Sequence, residues 1–165
     1  MSLVAPRTIT PSAEDVPDVD DGGEKVTAGV FWPEIVLSDA RKEMRITGTV
    51  TTSRLKHVVI EAVGHAADQL DTWRIEQQNA GFASLDTVPA MEINGQSAKV
   101  YRWCRAVYSI ARALLIETFR DVDTTGDAGE KKAAALASQA NDHWRDARWA
   151  ISDIRGEVRN SAEAF

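Results

Sequence analysis

The chain has 165 residues, 44% hydrophobic and 27% charged, with a formal net charge of −6. That length and balance suit one globular domain with residues to spare for tails. The negative charge argues against a general nucleic-acid binder, which needs clustered Lys and Arg against phosphates, and a single cysteine, Cys104, rules out an internal disulfide or a cysteine-based zinc site.

The longest apolar-leaning run, Ala111 to Ile116, is far short of a membrane span. The N-terminus lacks the basic region and apolar core of a signal peptide, so the cytoplasm is the expected place of synthesis and no membrane partner is expected.

The acidity is uneven. Residues 1–37 hold seven acids against two bases, which is five of the six net negative charges, and four of the five prolines. Such a stretch buries too little apolar area to offset its ordering entropy. Residues 1–30 are therefore expected to be an extended acidic arm, flexible in the lone chain and ordered on assembly. Phe31-Trp32-Pro33 closes it. Those two aromatics suit either a turn tucked onto the chain's own core or an anchor in a neighbouring subunit.

Residues 31–156 read as helical. Ser38 can cap a short helix to about Ile46, and Thr47-Gly48 breaks it. Thr52 or Ser53 can cap a long helix to about Ala80, whose stripe is Leu55, Val58, Val59, Ala62, Val63, Ala66, Leu70 and Trp73. Gly81 stands where a left-handed C-terminal glycine is expected.

Residues 82–96 form an irregular connection. Asn94-Gly95 has turn chemistry, but its flanks look too short for hairpin strands. Ser97 can cap a helix to about Arg120 with the face Val100, Trp103, Cys104, Val107, Ile110, Ala111, Leu114 and Leu115. Cys104 thus reads as a buried thiol. After a polar loop over 121–129, a last helix runs from about Glu130 to Arg155, with Gly156 as its stop. Ala133, Leu136, Ala140, Trp144, Ala147, Ile151 and Ile154 make its stripe, and Trp149 points away from it. Residues 157–165 are a polar tail. The expected fold is all-α: an antiparallel bundle of three long helices and one short one.

Searches for chemistry fail. His57 and His65 lie eight apart on one helix and His143 stands in no metal signature, so no metal site is expected. There is no phosphate-binding glycine loop outside the acidic arm, no nucleophile elbow, and no cysteine with a histidine partner. No enzymatic activity and no cofactor are expected. Arg102, Arg105 and Arg112 share a helix face, which keeps open a small helical DNA-binding or regulatory protein. Ion pairs across the bundle are the competing use.

The chain also resembles a family. Phe31-Trp32-Pro33-Glu34-Ile35, Arg41, Met44-Arg45, Ala80-Gly81-Phe82 with downstream Val88-Pro89, Lys99-Val100, Arg105-Ala106-Val107, Lys131-Lys132-Ala133 and Trp144-Arg145-Asp146 with Arg148-Trp149-Ala150 stand in the order and spacing of one family. It is that of the head completion proteins, the gene L products, of peduovirus-type temperate contractile-tailed phages. The resemblance runs from about Val30 to Arg159. Before it, only a Pro-rich, acidic character is shared.

The resemblance implies a head–tail connector without activity or cofactor. It implies docking on the portal protein as a ring of its own copies, about twelve, after DNA packaging. The ring would stabilise the filled head and give tail-completion or tail-terminator proteins a place to join, with packaged DNA passing through unbound by sequence. The implied location is the virion neck, and the host cytoplasm during assembly. Phe31, Trp32, Arg145, Arg148 and Trp149 are the candidate interface residues. For Trp149 the alternative is packing beneath the chain's own N-terminal segment.

Overall fold

The computed structural model describes residues 21–120 and 127–158, with no side-chain description over 119–128. The fold is mostly helical. Its elements in chain order are a 3-10 turn at Asp21–Gly23, β1 (Lys25–Val26), β2 (Ile35–Val36), α1 (Leu37–Glu43), α2 (Thr52–Gln69), α3 (Asp71–Asn79), a 3-10 turn at Leu85–Thr87, β3 (Glu92–Ile93), β4 (Gln96–Ser97), α4 (Ala98–Arg120) and α5 (Asp127–Arg155). Two small antiparallel sheets, β1–β2 and β3–β4, qualify the all-α expectation.

The helix α4 is the centre of the bundle. It packs antiparallel against α5 and, along another side, against α2. That double contact explains why its buried set is broader than one stripe: Val100, Trp103, Ala106, Val107, Ile110, Ala111, Ala113, Leu115 and Ile116 are all covered. From α2 come Leu55, Val59, Ala62, Val63 and Ala66, and from α5 come Ala140, Ala147, Ala150, Ile151 and Ile154. Alanines at these positions allow close approach of the helix backbones.

The long helix expected up to Ala80 is two. Leu70, with φ −103° and ψ 4°, interrupts it and stays fully buried. The break is stabilised from both sides: the Arg155 guanidinium donates to the Gln69 carbonyl, and Asp71 opens α3 while accepting from Arg74 Nη2 at 2.6 Å. The caps differ as well. Thr51, not Thr52 or Ser53, accepts from the Arg54 amide, and α1 begins after Val36, so Ser38 lies inside the helix. Ser97 does accept from the Lys99 amide at the start of α4. The Gly81 φ of 99° provides the left-handed stop expected there.

The hairpin judged too short does form. Glu92 pairs with Ser97 and Ile93 with Gln96, because Asn94 (φ 52°) and Gly95 (φ 73°) both take the positive φ of the tight turn. The start of α5 is Asp127 rather than Glu130.

Residues 21–30, assigned to the arm on composition, pack onto the domain. Two contacts outweigh the acidic character there. Lys25 and Val26 pair with Val36 and Ile35, and the Asp21 carboxylate is buried, accepting from Arg41 Nε at 2.7 Å, Arg41 Nη2 at 2.6 Å and Thr52 Oγ1 at 2.7 Å. Arg41 Nη1 donates to the Val50 carbonyl at 3.0 Å, so the pair ties the N-terminal turn to α1 and to the loop entering α2. Residues 1–20 and the tail from 159 lie outside the described residues.

Candidate assembly surface

The five residues singled out for contact fall into two groups. Phe31 and Trp32 belong to the chain's own core, 3% and 7% exposed. The Trp32 ring stacks on Trp103 at 4.3 Å between centroids with the planes 8° apart, and Phe31 meets Trp32 and Trp73 edge-on. The Trp103 Nε1 donates to the Pro33 carbonyl at 3.1 Å, and the Leu85 amide donates to the Phe31 carbonyl at 2.9 Å. An aromatic row thus fastens the N-terminal segment and the irregular connection to α3 and α4. Of the two uses open to Phe31-Trp32, the core has them.

Arg145, Arg148 and Trp149 lie on α5, turned away from its buried stripe. At 100° per residue Trp149 is far round the helix from Ile151, and it is half-buried rather than bare. The Arg145 guanidinium sits 5.1 Å from its ring centroid, while Arg145 Nη1 reaches the Asp142 carboxylate at 2.9 Å. Asp142, Arg145 and Trp149 therefore form one row along two turns of exposed helix, with Arg148 exposed beside it. A cation held over an indole face is worth about 0.5–1 kcal/mol at such a site. It also orders a large aromatic and a charge before any partner arrives, which suits a contact residue.

The shared face of Arg102, Arg105 and Arg112 does not form a free basic stripe. Arg102 Nη1 donates to the Asp153 carbonyl at 3.2 Å, and Arg105 Nη2 lies 3.6 Å from the Asp146 carboxylate. Arg112 stands by His143, and burial first, then this cation, hold the imidazole below its ordinary titration range. Arg102 and Arg105 are thus engaged with α5, and the arginine face gives no support to the DNA-binding reading.

A groove of about 1350 Å³ runs between Val30–Glu34, α1, the 84–97 connection and the outer side of α4. Tyr101, Cys104 and Tyr108 form its α4 wall. Their spacing of three and four is legible as one helix face, yet Cys104 alone was assigned to the core; it is half-buried and lines the groove. Burial raises the Cys104 thiol and Tyr108 phenol above their ordinary ranges, so both are neutral at pH 7. Among the described residues no group of three or more His, Cys, Asp or Glu is placed to hold a metal, and no helix is long and apolar enough to cross a membrane.

The exposed side of α5 thus sets a half-covered aromatic beneath a cation, and the groove has neutral Tyr and Cys side chains on its α4 wall with carboxylates around them. They belong to a helical structural protein. The family described as phage head completion protein (GPL) matches residues 26–165. The chain is also similar to the head completion/stabilization protein of Escherichia phage P2, 33% identical over 163 residues that cover 96% of each chain. No solved structure matches. This chain belongs to the phage head completion family, a family of virion-associated structural proteins.

Proposed function

We propose that this protein completes the phage head by docking on the portal as a ring of its own copies once DNA is packaged. The ring holds the filled head closed and presents the site to which tail-completion or tail-terminator proteins attach. The observation that carries this reading is family membership over residues 26–165. In this reading residues 31–156 are the connector body, the flanking segments are accessory to it, and the protein is assembled in the host cytoplasm into the virion neck.

A ring closed by rotation needs two unlike faces on each subunit. Two are available on this chain. The outer faces of α2 and α5 diverge, because each helix packs on a different side of α4. The α5 face carries Arg145, Arg148 and Trp149. The α2 face carries Ile60, 47% exposed, with Glu61 and Asp68 also in solvent. An indole and two arginines on one side suit an apolar residue and two acids on the other. We place Arg145, Arg148 and Trp149 at this subunit contact or at the portal. The excess of acid suits a channel through which DNA slides without adhering.

Co-sedimentation of the full chain with portal complexes tests the reading. The intact protein is expected to pellet with portals at micromolar concentration. Trp149→Ala is expected to keep its helicity and to bind roughly 30-fold more weakly, the loss of about 2 kcal/mol that defines a contact hot spot. A chain that stays in the supernatant overturns the docking. A Trp149→Ala chain that unfolds assigns the indole to the fold instead.

A further inference from the structure

Helix α2 carries a glycine that the described fold does not call for. Gly64 lies in the interior of Thr52–Gln69, on its solvent side, and its φ is not left-handed. A Cβ at this position would meet nothing within 4 Å. In such a place glycine lowers the folded-to-unfolded ratio about fivefold against alanine. Neither a turn nor a close approach among the described residues offsets that loss. The remaining physical use of a helix glycine is to let something outside the chain come close to the backbone.

The surface beside Gly64 is hollow. Val26, Ile60, Val63 and Gly64 are among the residues that line a cleft of about 400 Å³ between β1 and α2. A cavity of about 150 Å³ already takes a benzene ring. Ile60 stands 47% exposed there. The two lysines of the lining are paired within the chain, Lys25 with Glu34 at 2.6 Å and Lys56 with Glu24 at 2.5 Å. Glu61 and Asp68, three residues before Gly64 and four after it, share its face and are exposed. The fitting occupant is one large apolar side chain flanked by cations.

The chain presents such a group on α5: Trp149, with the Arg145 guanidinium over its ring and Arg148 exposed beside it. The outer faces of α2 and α5 diverge across α4, so the indole that reaches the cleft is that of a second copy. We propose that the cleft beside Gly64 receives Trp149 of a neighbouring copy, and that the lack of a side chain at 64 lets the ring lie against the α2 backbone. The inference rests on the ring reading above and names the part of α2 that the neighbour's α5 occupies. Glu61 and Asp68 then face Arg145 and Arg148 around the buried ring.

Gly64→Leu in the full chain separates the fold from the contact, because the leucine fills the cleft from its own side. The thermal midpoint should hold or rise by about 2–3 °C, the gain from replacing a helix glycine. Self-association, measured by sedimentation of the chain alone and with portal complexes, should weaken roughly 30-fold. Trp149→Ala should lose as much, and the double variant no more than either single one, since both remove the same contact. A Gly64→Leu chain less stable than the parent assigns the glycine to the fold and overturns the proposal. A stable one that associates as tightly as the parent overturns the cleft contact and leaves the ring standing. Additive losses in the double variant put Trp149 in a different contact and overturn the proposal as well. A parent chain that stays monomeric in both settings overturns the ring reading and this inference together.

Discussion

Asp21 stands in a stretch that composition assigns to solvent, yet its carboxylate is wholly buried. What holds it there is a partner twenty residues away, Arg41, and no local signal announces that pairing. The hydrogen bonds from Arg41, and next that from Thr52, hold the Asp21 carboxyl below its ordinary range, against the opposing effect of burial. A carboxylate with a lowered folded pKa stabilises the fold above its unfolded value. The contribution should be complete at neutral pH, begin to fall below about pH 4, and vanish once the folded pKa is passed. Asp21→Asn leaves the Arg41 charge buried without its counter-charge. It should cost about 3–5 kcal/mol in urea unfolding at pH 7, and the acid-dependent difference from the parent chain should shrink as the pH falls through the lowered folded pKa. Trp149 shows the opposite case. Its departure from the stripe was readable from spacing alone, whereas the cation over its ring required the fold.

Helix existence and helix faces were legible in the periodic apolar positions, and α4 and α5 keep the faces those positions define. Ends and breaks were less so, because they are decided by tertiary partners. The interruption at Leu70 carries no glycine or proline to mark it; it rests on Arg155 from the far end of the chain taking the Gln69 carbonyl. The short hairpin at Asn94-Gly95 was missed for the reason that two-residue strands have no periodicity to detect. Lys99 belongs to the same class of distant cap. Its Nζ donates to the Ile154 carbonyl at 2.5 Å in the last turn of α5 and sits 5.3 Å from the Trp73 ring centroid. A cation at a helix C-terminus offsets the negative end of the dipole, so Lys99→Met should destabilise the chain by about 1 kcal/mol. Hydrogen exchange is the check: amides of residues 152–155 should exchange faster while those at the centre of α4 change only with global stability.

For the whole molecule, membership of the structural head completion family directs attention to the exposed helix faces. If the outer faces of α5 and α2 meet between neighbouring copies, charge exchange across them should be reciprocal. Arg148→Glu alone should weaken ring formation, and Glu61→Arg alone likewise. The double variant should recover part of the loss, a coupling of about 1 kcal/mol or more in a double-mutant cycle scored by sedimentation. Strict additivity would remove that pairing. The central claim is that copies of this chain close the neck of the filled head, and cryo-electron microscopy of that neck, at a resolution that separates helices, tests it most directly. The account predicts a closed ring of this chain seated on the portal, with the α5 row of Arg145, Arg148 and Trp149 against a neighbouring copy or the portal itself. Density for this chain on the capsid shell and none beneath the portal would contradict it.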